Sequence, residues 1–557
     1  MKYLKTFGLL YAAVLFGLII QIETYTANAG STKLNGPLQA MGDVVQARFS
    51  PDEKYIVYLA DQVNDESYEL YSVPTTGGTA VRLNKDLPNG VDIFSFQISP
   101  DSQRVVYKAE QNAVGVSELF SVPITGPSTA GVQLNETPVQ FGNVLTFQIS
   151  PNSDYVIYQG DLERASFSEL YRVPIAGPAN ASEKLHLPTA AFEAVHQFEL
   201  SLNGATVVYS AVKSTVNGYR YQLFSVPLLG PVAATVALTE PLIESGLIAS
   251  FKISADSARV IYMADAEVVD KDELFSVPIN GPASVGVKLN EALEPFNALD
   301  HKFFVSSDSS RVVYFAQLLG RNAKEFYSVP INGPAASSVH LSVDLTTNQA
   351  LQDFHWHVTD DGANLVYAIY ESSDFKRLYR VPVSGMQSDN ELLLEIPAPD
   401  EADLAVYTTT PDSQNVVFVM RPDIGEAYEM YSIPIGGLLG SETKLNLPLA
   451  SGGNVTAKIT PSANSQWLIY TGEIENAGTV ELYAVPVIGP ASEGVKINST
   501  LVTGGNVSLL NNTISPNGTW IAYLADQETD GMQELYLSVG NLLFSSHSVY
   551  LPMVTAE

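Results

Sequence analysis

Three short clusters in this chain hold residue types that do chemistry. Asp526-Gln527-Glu528-Thr529-Asp530-Gly531 sets three carboxylates at alternate positions before a glycine, as the first half of a calcium loop does. Asp526, Glu528 and Asp530 are therefore the candidate metal ligands, with calcium the candidate cofactor, although Leu537 stands where such a loop carries its bidentate glutamate. The plainer reading, a solvated acidic hairpin, is the favoured one. His355-Trp356-His357 puts two imidazoles on one strand face, because residues i and i+2 share a face. With Asp353 or Asp360 beside them, His355 and His357 suit a metal or a polar ligand; otherwise they are polar strand positions around a core tryptophan. Lys213 to Arg220 and Leu318 to Lys324 are the basic clusters, and Lys213, Arg220, Arg321 and Lys324 are candidate partner-binding residues.

No stretch carries the spacing of a zinc-protease helix, a phosphate-binding loop or a dinucleotide fingerprint. The Gly-x-Ser-x-Gly elbow of serine hydrolases is missing too: Gly281-Pro282-Ala283-Ser284-Val285-Gly286 has the wrong spacing and lies between strands. No catalytic residue is assigned. The expectation leans away from an enzyme, the alternative being a carbohydrate-active or other hydrolase or lyase with scattered groups in a central channel.

The elements that position these clusters come from a repeat. Phe96-Gln97-Ile98-Ser99-Pro100-Asp101-Ser102 recurs as Phe147-Gln148-Ile149-Ser150-Pro151-Asn152-Ser153. Ten such anchors, at 50, 99, 150, 201, 254, 306, 359, 410, 460 and 515, are spaced by 49 to 55 residues. Each unit shows four strand signals. One alternates apolar and polar residues up to the anchor, and a Pro-Asp-Ser turn follows. The next is β-branched and ends in an aromatic, as in Val105-Val106-Tyr107. The third reads Glu118-Leu119-Phe120-Ser121-Val122-Pro123, closed by a proline that cannot donate to a ladder. A Gly-Pro or Gly-Gly turn then leads to the fourth, as in Val287-Lys288-Leu289-Asn290.

Four short antiparallel strands in tandem describe a propeller blade, so the expected fold is an all-β propeller of ten four-stranded blades, with two smaller propellers in tandem as the alternative. Thr32-Lys33-Leu34-Asn35 matches the fourth strand but precedes the first unit, so it is expected to complete the last blade; Ser548-Val549-Tyr550-Leu551 competes for that place. In a propeller the loops from second to third strand and from fourth to next first strand share one face. These vary along the chain, whereas the other two turns are nearly uniform, so binding is expected on the variable face. The residue two before each anchor, such as Arg48, Gln97, Glu199 and Lys252, is expected along the channel.

Ser99-Pro100-Asp101 with Val105-Val106-Tyr107, and Ser515-Pro516-Asn517-Gly518 with Ile521-Ala522-Tyr523, resemble the WD-like repeats of TolB-type propellers over residues 31 to 551. The resemblance implies the propeller fold and no particular activity. The α/β domain that precedes the propeller in TolB itself has no counterpart here.

Composition sets the remaining limits. The net charge is −31, from 29 Lys+Arg and 60 Asp+Glu, so phosphate backbones are repelled and nucleic acid is not an expected partner. Lys2 and Lys5, an apolar run from Phe7 to Ile20 and Ala27-Asn28-Ala29 read as a signal peptide over 1–29, leaving 30–557 as the propeller domain. That run is too short to span a bilayer, so no membrane insertion is expected after cleavage. There is no cysteine, so disulfides and thiolate chemistry are excluded. The expected protein is an exported, extracytoplasmic scaffold that binds a protein or glycan through its variable-loop face.

Overall fold

The computed structural model describes residues 30–539 apart from 64–66, 188–192, 295–298, 300–301, 322, 347, 373, 397–401 and 511–512, and the side chains of 352–355. The expected signal peptide, 1–29, and the tail at Ser548 to Leu551 lie outside the described residues.

The repeat folds into ten four-stranded antiparallel sheets, nine of them with their strands in chain order. The first blade comprises Val44–Phe49, Tyr55–Ala60, Glu69–Pro74 and Val81–Arg82. The tenth comprises Val507–Ser508, Trp520–Ala525 and Glu534–Val539, and Thr32–Lys33 supplies its fourth strand. Thr32 pairs with Leu537 and Lys33 with Tyr536, so the expected closure by the N-terminal strand is present. This is one ring rather than two propellers.

The serine anchor is a local device. Ser99 Oγ donates to Asp101 Oδ1 at 2.6 Å and accepts the Arg104 N–H at 2.9 Å. Ser102 then turns at φ 61°, and its Oγ accepts the Asp52 N–H of the preceding blade at 3.0 Å. The same bond joins Asp101 to Ser153 and Asp256 to Ser309. At the seam Asn517 N–H donates instead to the Glu53 carboxylate, so tenth and first blades are stitched like any other pair.

The ninth anchor departs from its expected place. Ser462, not Thr460, makes the anchor bonds, to Trp467 O through its N–H at 2.8 Å and to Asn464 Oδ1 through its hydroxyl at 2.7 Å. Thr460-Pro461 imitates the motif, but a bulge between Val455 and Ile459 shifts the strand. With this correction the anchors are spaced by 49 to 53 residues.

The core lies between blades. Ten clusters of buried apolar side chains each join two neighbours; one gathers Leu34, Val44, Tyr58, Leu535 and Leu537 across the seam. Each fully buried Val, Leu or Ile contributes about 1.5–3 kcal/mol, so every interface is independently substantial. Within each blade an aromatic of the second strand stacks on one of the third at 5.1–5.8 Å, as Tyr58 does on Tyr71.

Candidate functional site

Most of the acidic loops on the expected binding face are tied down rather than free. After the second strand a carboxylate opens the loop and accepts the N–H five residues on. Asp161 accepts from Ser166 at 2.7 Å, Asp265 from Asp270 at 3.0 Å, Glu473 from Gly478 at 3.1 Å and Asp526 from Gly531 at 3.1 Å. Asp161 also accepts the Asn143 N–H at 2.5 Å, which fixes the loop entering its own blade. A Cβ at Gly142 would fall 2.4 Å from Asp161 O, so that turn requires glycine. The second-to-third loops closed in this way follow a common path, so the expected variability lies in the fourth-to-first loops, which differ in length among the blades.

Four blades carry another residue at the loop-opening place: Val212 in the fourth, Gln317 in the sixth, Tyr370 in the seventh and Arg421 in the eighth. In the fourth and seventh of these the strands run on. In the fourth blade Thr206–Thr215 and Gly218–Pro227 extend to ten residues each, and in the seventh Asn364–Glu371 and Asp374–Pro382 extend to eight and nine. Among the described residues the face thus carries two extended hairpins, in the fourth and seventh blades.

Lys213 and Arg220 sit on the fourth-blade hairpin as a directly opposed cross-strand pair. Arg220 reaches Glu244 at 3.0 Å; Lys213 is exposed and makes no ion pair among the described residues. They line a cavity of about 330 Å³ with Tyr221, Gln222 and Pro241. Arg321 and Lys324 lie two blades away, so the two basic clusters share a face but do not form one site. Arg321 faces Glu325 at 3.6 Å and Asp344 at 3.5 Å, while Lys324 lies over the Phe315 ring at 5.9 Å.

The three candidate metal ligands have other partners. Asp526 accepts backbone N–H groups from Asn506 and Gly531, Glu528 takes the Lys33 ammonium at 3.1 Å, and Asp530 lies against Gly504. Among the described residues no group of three or more His, Asp or Glu side chains is placed to hold a metal. The His355 side chain lies outside the described residues. Burial pushes the half-buried His357 imidazole down, against the opposing pull of Asp360. Trp356, between them, packs 5.5 Å from Phe326 in the core joining the sixth and seventh blades.

The channel wall uses its polar residues as stitches. Gln97 donates to Phe147 O at 3.0 Å and accepts the Ile149 N–H at 3.4 Å, completing the free edge of the next inner strand. Gln148 accepts from Leu200 N and Glu199 from Ile253 N in the same way. Desolvation raises the Glu199 carboxyl, with Lys252 acting against it.

Two features escaped sequence reasoning. The first is an ion pair under the face. The leading glutamate of the third strand meets a cation on the fourth in six blades: Arg82–Glu69, Lys184–Glu169, Lys288–Glu273, Lys444–Glu429, Lys496–Glu481 and, across the seam, Lys33–Glu534. Burial pushes the Glu169 carboxyl up, but His186, Tyr171 and Lys184 together bring it down to about 2. Glu118 has only Asn112 and Gln133, and burial leaves it raised. The fifteen-residue spacing of Glu169 to Lys184 and Glu273 to Lys288 was the available signal.

The second is an apolar rim. In the turns entering the first and third blades, Met41 stands at φ 69° and Phe141 at φ 68°, where sibling turns have Gly90, Gly452 and Gly504 and, entering the fifth blade, Ser245 at φ 64°. Gly42 N–H bonds Gln39 O and Gly142 N–H bonds Val139 O, so each is the third residue of a tight turn that favours glycine. Met41 is 79% exposed and Phe141 73% exposed. Val45, Phe94 and Leu145, each 46–49% exposed, lie on the inner strands of these first three blades.

No family model matches the chain, and no curated protein matches it. Solved structures do. Oligopeptidase B from Leishmania major is 9% identical, over 70% of this chain and 54% of its own, with a TM-score of 0.38. A prolyl endopeptidase is 14% identical, over 68% of this chain and 54% of its own, with a TM-score of 0.36. This chain thus spans about half the length of those peptidases. Oligogalacturonate lyase from Vibrio parahaemolyticus is 12% identical, over 71% of this chain and 98% of its own, with a TM-score of 0.33. At these values the likeness concerns the propeller fold alone.

Proposed function

We propose that this protein is an exported, non-catalytic propeller scaffold, with TolB-type repeats, whose loop face binds a protein partner. The observation that supports it is the rim: Met41 and Phe141 are bulky, exposed and held at positive φ, where sibling turns carry Gly90, Gly452, Gly504 and the small Ser245. A left-handed backbone costs a bulky L-residue about 1–2 kcal/mol, and strain of this kind concentrates at functional positions. The side chain it presents gains nothing inside the fold. Buried against a partner, an exposed aromatic or methionine is the kind of residue that anchors an interface. The fourth-blade hairpin, with Lys213 and Arg220, borders the same face and supplies charge for orientation.

The test is site-specific photo-crosslinking of the mature protein in extracts of its source, with the crosslinker at position 141 or, as control, at position 488 on the opposite face. A discrete adduct from 141 that disappears in Met41→Asp with Phe94→Asp, and is absent from 488, is the expected result. Equal adducts from both faces overturn the reading. So does a hydrolase or lyase turnover that His357→Ala abolishes while the rim variants retain it.

A further inference from the structure

We propose that a cavity between the eighth and ninth blades, on the face opposite the loops, binds a small guanidinium compound, independently of the loop face. The cavity measures about 470 Å³, a size ordinary for small-ligand sites, and Asp412, Asn415, Pro486, Val487, Ile488 and Glu493 are among its lining residues. Its origin is a missing arginine. At the start of the second strand, paired with the proline that closes the third, three other blades carry Arg104, Arg259 and Arg311. Each lays its guanidinium on the third strand, with Nε donating to the hydroxyl of Ser121, Ser276 or Ser328 at 2.7–2.8 Å. Burial lowers these arginines, and the carboxylate of the turn just before, Asp101, Asp256 or Asp308, opposes it.

In the eighth blade the same place holds Asn415, opposite Pro434. The shorter side chain does not reach Ser432, whose hydroxyl turns instead to Val487 O of the ninth blade at 2.6 Å. Asn415 is 8% exposed and lines the cavity. Among the described residues it is bonded only through its backbone, to Thr410. Asn364, its counterpart in the seventh blade, has its oxygen bonded by Arg380 at 3.1 Å. The turn carboxylate stays in the eighth blade without its arginine: Asp412 Oδ1 accepts from the Thr410 hydroxyl and the Gln414 N–H, as Asp101 does from Ser99 and Gln103. A second carboxylate is added. Glu493 lines the cavity where the matching turn residue of other blades is Ala130, Ala181, Ala234 or Ser337. Neither acid is in an ion pair among the described residues.

The cavity is thus the imprint of a guanidinium group with acceptors left in place. A buried amide without a partner is costly, and a donor entering the cavity removes that cost. The planar fork of a guanidinium matches a carboxylate, and an alkyl stem suits the wall of Pro486, Val487 and Ile488. Two acids at the cavity and a net charge of −31 on the chain favour a cation over a neutral or anionic ligand. The space is larger than the one arginine side chain that fills its counterparts, which suits a free compound rather than a side chain of a protein partner.

The experiment is calorimetric titration of the protein at low salt with butylguanidinium, with its neutral isostere butylurea, and with a short peptide blocked at both ends around one arginine. Saturable binding of butylguanidinium with butylurea inert is the expected result, and the peptide should bind no more tightly. Each cavity variant takes a residue that another blade already carries at the same place. Asn415→Arg refills the cavity as Arg104 does and should abolish binding in a protein that still melts cooperatively. Asp412→Asn follows Asn152 and Asn203, which keep the same turn bond to their serines. Combined with Glu493→Ala, it should weaken binding roughly tenfold or more, since charge-assisted bonds are the strong ones. If Asn415→Arg fails to fold, this double variant carries the test. Lys213→Gln, on the outer hairpin, should leave binding unchanged. No saturable binding of butylguanidinium, equal binding of butylurea, or binding that a folded cavity variant retains in full overturns the proposal. Tighter binding of the peptide overturns the assignment to a free compound.

Discussion

At the scale of single residues, the ion pair beneath the loop face explains much of the charge on the third and fourth strands. Glu118 is the informative exception. It is 2% exposed, and where other blades offer Lys or Arg it meets Gln133 Nε2 at 2.8 Å and Asn112 Nδ2 at 2.7 Å. Burial therefore leaves its carboxyl above the ordinary 4.5. A carboxyl raised in the folded state costs stability when ionised, and that cost fades as pH falls through its titration. Gln133→Lys supplies the missing cation and brings the carboxyl down, as Lys184 helps to do for Glu169. The expected gain is roughly 0.5–1 kcal/mol at pH 7. It should be lost as the pH falls below about 4.5, where the unfolded chain already takes up the proton. Urea unfolding of both proteins at pH 7 and pH 3 checks this; an equal difference at the two pH values would refute it. The carboxylates were legible in the sequence, but their purpose was not. Asp161, Asp265 and Asp526 look like rim charges along the chain, and only the fold shows their oxygens spent on backbone N–H groups five residues on.

At the scale of elements, strand order, turns and the uniform face were all readable, because β-branched runs, Pro-Asp-Ser turns and strand-ending prolines each act locally. What was not readable depended on a partner distant in sequence. Thr460-Pro461 imitates the anchor, and only pairing with Trp467 to Tyr470 identifies Ser462 as the working serine. Blades four and seven gain hairpins where Val212 and Tyr370 stand in place of a carboxylate, while Gln317 and Arg421 at the same place leave an ordinary loop, a contrast visible only once the ten units are aligned on their ladders. The turns carrying Met41 and Phe141 give a sharper prediction. Both hold left-handed φ values that glycine adopts freely, and a positive φ in a bulky side chain costs about 1–2 kcal/mol. Met41→Gly and Phe141→Gly should therefore each stabilise the protein, by up to about 1 kcal/mol after the greater freedom of glycine in the unfolded chain is subtracted. Met41→Gly should also weaken the crosslink made from position 141 at the loop face. Thermal melting alongside the crosslinking assay reads both effects, and a fall in stability for both variants would show that the turns are not strained.

At the scale of the whole molecule, the ring is closed by residues that precede its first full unit. Removing 30–36 would uncover the edge of Glu534–Val539, since among the described residues Thr32 and Lys33 form the only strand paired to that side. It would also take Lys33 from Glu534, the Asn35 oxygen from the Leu535 N–H, 2.8 Å away, and Leu34 from the seam core. Leu34 alone, 3% exposed, contributes about 2 kcal/mol by burial, and an unpaired buried glutamate adds a further penalty. The seam would still hold through Asn517 to Glu53 and Gln533 to Asp43, bonds made by parts of the chain that remain. The truncated protein should therefore fold but melt several degrees lower, with an exposed edge open to pairing with a second copy. Calorimetry with light scattering measures both. Lys33→Ala, which keeps the strand and removes only the cation, should lie between the two and stay monomeric. If the truncated protein matched the intact one in melting temperature and mass, the N-terminal strand would be an ornament on a ring that closes without it.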